Sequence, residues 1–103
     1  MWISSVRTTA DVKQKYVLVR IIDGSEERLI LWGNPNIQWH KDILEEITNA
    51  GYEVIETFGG GWLLPDSKRG TYYVWGKSDR LGPAPISLVQ QVLNSEVIEA
   101  EPE

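Results

Sequence analysis

The 103-residue chain contains no cysteine. That absence excludes a disulfide scaffold, a thiol nucleophile and any zinc or iron–sulfur centre built on thiolates. Histidine is nearly absent as well: the single imidazole is His40, so sites that need two or three imidazoles are excluded. Long apolar runs are missing, and nothing approaches the ~18–20 residues of a membrane-spanning helix. The N-terminal MWISSVRTTADVK has no signal-peptide layout. A cytoplasmic protein without a membrane partner is therefore expected. Positive charge is in deficit, with 10 Lys and Arg against 15 Asp and Glu, a net charge of −5. The last eight residues hold Glu96, Glu99, Glu101 and Glu103 without a base, which leaves residues 1–95 at −1. This near-neutral body lacks the basic footprint of a nucleic-acid binder, so no nucleic-acid partner is expected.

What is present suffices for one folded unit. A 42% hydrophobic and 24% charged composition is ordinary for a globular domain, and the length leaves no room for a second. A single domain over 1–103 is expected, monomeric, with a short acidic tail from about residue 99. KYVLVRII (Lys15–Ile22) is rich in β-branched residues and predicts a buried strand; DGSE at Asp23–Glu26 predicts the turn of a hairpin to RLILW (Arg28–Trp32). After the breaker cluster GNPN, where Pro35 is placed to start a helix, Trp39, Ile43, Leu44, Ile47 and Ala50 recur at helical spacing, and Gly51 closes the helix. YEVIETF (Tyr52–Phe58) alternates as a strand that Gly59-Gly60-Gly61 interrupts. WLLPD (Trp62–Asp66) and TYYVWG (Thr71–Gly76) flank a turn at SKRG, and a second hairpin follows. KSDRLGPAP is a loop, ISLVQQVLNS (Ile86–Ser95) a short helix, and EVIEA (Glu96–Ala100) a last edge strand. The order β-β-α-β-β-β-α-β predicts an α+β fold: a small mixed sheet of about six strands with two packed helices.

Three places could carry chemistry. His40 is the only side chain that titrates near neutrality by default, and it lies near a helix N-terminus, whose partial positive charge disfavours imidazolium and attracts anions. That suits a neutral basic or nucleophilic imidazole beside a phosphate; a half-buried histidine making one hydrogen bond fits the same pattern. The three glycines let another group approach closely, although no GK[ST] follows them as in a P-loop. The loop after Gly76 could form an anion-binding nest helped by Lys77, Ser78 and Arg80, or its basic residues could simply be solvated.

Taken in order, KYVLVRI, WH-x-D-I opening a helix, GGG after a strand, and YVWGKSDRLGPA resemble the phosphohistidine phosphatase (Janus) family, over about Lys13 to Ile98. The resemblance implies a small α+β domain that hydrolyses the P–N bond of phosphohistidine without metal or cofactor. The family's catalytic histidine falls on His40, its substrate-side lysine on Lys15, and its phosphate loop on Lys77, Ser78 and Arg80. The implied partner is a phosphohistidine-containing protein or a small phosphoramidate. The chain departs from the pattern where Trp62 follows GGG and Trp32 precedes Gly33, both positions of family arginines, and at Leu81 and Ile86. Those tryptophans motivate an alternative, a non-catalytic phosphate or phosphoprotein reader of the same fold. A third class, a single-stranded nucleic-acid module stacking bases on Tyr72, Tyr73 and Trp75, is opposed by the charge.

Overall fold

The run from Tyr16 to Val19 has four buried residues in succession, which a strand achieves only when both faces of its sheet are covered. The computed structural model describes residues 3–103 and shows why. Its elements are β1 (Ile3–Arg7), β2 (Gln14–Asp23), β3 (Glu26–Asn34), α1 (His40–Asn49), β4 (Glu53–Asp66), β5 (Thr71–Trp75), α2 (Ile86–Leu93) and β6 (Glu96–Ile98). The six strands form one mixed sheet in the order β1-β3-β2-β4-β5-β6, and the two helices lie on it in an α+β arrangement. The centre, β3-β2-β4-β5, is antiparallel; β1 joins β3 and β6 joins β5 in parallel at the edges.

Each sheet face buries its own helix. On one, Val17, Val19, Ile21, Ile30 and Trp32 enclose Ile43 and Ile47 of α1. On the other, Tyr16, Leu18, Leu29, Leu31, Leu63 and Val74 pack against Val89, Val92 and Leu93 of α2. Both predicted hairpins form, with Gly24 and Gly70 in the turns at φ 65° and 63°. The amide of Gly51 closes α1 on the carbonyl of Thr48. No described helix is long and apolar enough to cross a membrane.

Four expectations need correction. Ile3–Arg7 is a strand that the sequence reading did not anticipate: ISSVR has only two apolar residues, and parallel pairing to β3 holds it at the edge. The glycines do not interrupt a strand. The stretches predicted at Tyr52–Phe58 and Trp62–Asp66 fall, apart from Tyr52, within one long β4, in which Gly59, Gly60 and Gly61 pair with Leu18, Val17 and Tyr16 of β2. Pro35 does not start α1; it sits in a turn where Asn34 accepts the amides of Asn36 and Ile37, and the helix begins at His40. Trp39, counted on the apolar helix face, is instead the helix-capping residue and is 53% exposed.

Candidate functional site

Strand register assembles the first part of the site. Lys15 on β2 pairs with Trp62 on β4, and Trp62 pairs with Trp75 on β5, so the three side chains form a row on the face that carries α1. The indoles of Trp62 and Trp75 stack at 6.4 Å with planes 10° apart, which holds Trp62 in place. The Lys15 ammonium lies 5.3 Å from the Trp62 ring and 5.2 Å from the Trp39 ring, and it donates a short hydrogen bond to the carbonyl of Gln38.

The second part comes from α1 and the glycines of β4. His40 is the first residue of the helix, and its Nε2 lies 3.0 Å from the carbonyl oxygen of Gly61. A carbonyl only accepts, so Nε2 carries the proton, and the neutral ring keeps its lone pair on Nδ1. Gly60 makes room for this ring. A Cβ there would stand 3.1 Å from His40 Cδ2 and 2.5 Å from the carbonyl oxygen of Tyr16. The His40 pKa is lowered from its ordinary value chiefly by burial, with Lys15 pushing the same way; the Gly61 hydrogen bond and Asp79 oppose.

The third part is the loop after β5. Its turn is closed by the Gly82 amide, which donates to the carbonyl of Ser78 at 2.8 Å, and it is tied to β4 by the Gly60 amide, which donates to the carbonyl of Gly82 at 3.0 Å. Ser78, 1% exposed, opens this turn. Its amide donates to Gly60 and its Oγ accepts the amide of Leu81, so Ser78 shapes the loop and has only its hydroxyl proton to offer a ligand. The amides of Lys77, Asp79 and Arg80 donate to no protein group among the described residues. They are the unspent donors of the nest.

These parts enclose an open cavity of about 630 Å³. Lys15, Lys41, Lys77 and Arg80 line it together with His40, Ser78 and one acid, Asp79. Lys41, Lys77 and Arg80 form no ion pair among the described residues, although the chain has more acids than bases. Four cations against one carboxylate, with free amides between them, make this a place for a polyanionic group. Among the described residues no three acidic or imidazole side chains converge as a metal site would require.

All five residues singled out in the sequence therefore border one cavity. Lys41, Asp79, Trp39 and the Gly61 carbonyl were missed. Lys41 and Asp79 adjoin predicted residues in the chain, and that adjacency was the available signal. A main-chain carbonyl leaves no signal in residue type. Of the two tryptophans at arginine positions, Trp62 lines the cavity, whereas Trp32 is 3% exposed beneath α1, donating from Nε1 to Glu46 at 2.6 Å. Tyr72 shares its sheet face with Val74, opposite Tyr73 and Trp75, so the three aromatics form no single stacking row.

The family model described as Janus/Ocnus family (Ocnus) matches residues 2–101. No curated protein matches the chain.

Proposed function

We propose that this chain, which belongs to the Janus/Ocnus family, is a metal-independent protein phosphohistidine phosphatase. The observation that carries the reading is the pairing of His40 Nε2–H with the Gly61 carbonyl at the wall of a cationic cavity, which leaves Nδ1 as the one neutral-pH base or nucleophile there.

The P–N bond is already activated when the other nitrogen of the phosphorylated ring is protonated, so the site must supply orientation and charge neutralisation. In one route Nδ1 takes a proton from water as the water oxygen bonds to phosphorus. The P–N bond breaks, its electron pair returns to the ring nitrogen, and neutral imidazole departs. In the other route Nδ1 itself bonds to phosphorus, the same imidazole leaves, and water then hydrolyses phosphorylated His40. Both routes need Lys15, Lys77, Arg80 and the loop amides to hold the equatorial oxygens as charge spreads over them.

The test is phosphate release from a phosphohistidine peptide in excess chelator. Release at full rate supports the proposal, and activity that vanishes until magnesium is restored counts against metal independence. A second reading, a phosphoprotein reader without turnover, draws on Trp62, an indole where the resembling family carries a guanidinium. Saturable binding with no release favours it.

A further inference from the structure

Asp79 is the one carboxylate of the cationic chamber that Lys15, Lys41, Lys77 and Arg80 line, and nothing in the chemistry above uses it. An aspartate in a tight loop ordinarily accepts the main-chain amide two residues on. Here that amide, of Leu81, goes to Ser78 Oγ, and the amide of Gly82 goes to the Ser78 carbonyl. Asp79 forms no ion pair among the described residues either, although Lys77 and Arg80 are close to it in the chain. Its exposed side chain thus has no structural partner among them, and it borders the same space as His40.

The strand that holds the imidazole also positions this carboxylate. The Gly61 carbonyl lies 3.0 Å from His40 Nε2, and the Gly60 carbonyl accepts the amide of Ser78, the residue before Asp79, at 3.2 Å. The charge of Asp79 reaches the reacting position, since it favours protonated His40 and so opposes Lys15. A carboxylate there repels a phosphoryl dianion, and for a plain phosphate ester it weakens what the cations and loop amides provide. A ligand with a cation beside its phosphoryl group turns that repulsion into attraction.

We propose that Asp79 determines specificity, accepting the N–H of the protonated ring that carries the phosphoryl group and thereby selecting a zwitterionic phosphoramidate over phosphate esters. The inference rests on the preceding reading for the identity of that ring. Discrimination of this kind needs a repulsive element as well as an attractive one, and one carboxylate among the cations supplies both.

The test uses two phosphonates without a hydrolysable bond, 2-aminoethylphosphonate and ethylphosphonate, in low-salt NMR titrations of the full chain. The ammonium of the first lies as many bonds from phosphorus as the remote nitrogen of a phosphorylated imidazole. In Asp79→Asn the ratio of affinities in favour of the aminated ligand should fall about two- to fivefold, the range of an exposed ion pair. Ethylphosphonate alone should bind that variant more tightly than it binds the parent. Asp79→Glu should keep the parental ratio, and so should Glu53→Gln, at the far end of β4. An unchanged ratio in Asp79→Asn, or an equal fall in Glu53→Gln, would overturn the proposal. Phosphate release from a phosphohistidine peptide is scored separately. A ratio that falls in a chain without release removes the hydrolytic reading alone, and release with an unchanged ratio removes the role of Asp79 alone. Failure of both phosphonates to bind removes the anion site on which the two rest.

Discussion

His40 Nε2 and the Gly61 carbonyl oxygen, 3.0 Å apart, tie the start of α1 to the middle of β4 and decide which imidazole nitrogen is left for chemistry. Because His40 is the only histidine, its ring protons report one titration. Its folded pKa should lie below 6.5, through burial first and Lys15 second. Activity should fall as pH drops through that folded value. In the window between the unfolded pKa of 6.5 and the lower folded one, the unfolded chain binds more protons, so stability also declines with falling pH. A titration midpoint clearly above 7 without ligand would contradict this; bound phosphate should raise it.

Replacing the imidazole tests its role directly. His40→Ala is expected to reduce phosphate release from a phosphohistidine peptide by about 10²–10⁴-fold, the range of a lost general base. A folded variant that works at the parental rate would remove His40 from the mechanism.

Inorganic phosphate should bind in the cationic chamber and move the amides of Lys77, Asp79 and Arg80 most, since these have no acceptor among the described residues. Binding should weaken as salt screens the surrounding cations. Shifts centred on the turn at 67–70 would place the anion elsewhere.

Gly60→Ala would set a Cβ 2.5 Å from the Tyr16 carbonyl oxygen and 3.1 Å from the imidazole. Backbone cannot yield as a flexible side chain does, so a loss of about 1–3 kcal/mol is expected in denaturant unfolding, with displaced His40 resonances. Gly24→Ala is the control: its Cβ meets nothing within 4 Å, although its φ of +65° adds backbone strain.

Burial, reinforced by the charge of Glu99, raises the Tyr16 pKa to about 12. The unfolded phenol ionises near 10 and the folded one only near 12, so the native state holds the extra proton between those values. Stability should therefore decline across that window, by about 2–3 kcal/mol in all. Ultraviolet titration of the phenol together with unfolding curves above pH 10 checks both halves.

The residues explain how much of this was readable beforehand. The apolar run of β2, the DGSE and SKRG turns and the period of α1 are local signals, and the elements they mark form where expected. The sequence alone reads β4 as two strands because three glycines look like a break. The Tyr16 and Trp75 carbonyls, the 76–85 loop and the His40 ring come too close there for a Cβ, which is a tertiary fact. In the site, the order of motifs pointed to Lys15, His40 and the loop. Hydrophobic period alone placed Trp39 in the core, although an indole at a helix cap can face either way, and here it faces water.

The parallel edges of the sheet bear on its order of assembly. β2–β3 and β4–β5 close through short turns, whereas β1 reaches β3 and β6 reaches β5 only after the chain has gone around a neighbouring element. Long closures cost more entropy than hairpins, so the antiparallel centre gains its contacts most cheaply and the rims dock upon it. The cavity is built from β2, β4, the start of α1 and the loop after β5, and none of its lining residues lies on β1 or β6. The rims can therefore open and exchange their amide hydrogens while His40 and its neighbours remain in register.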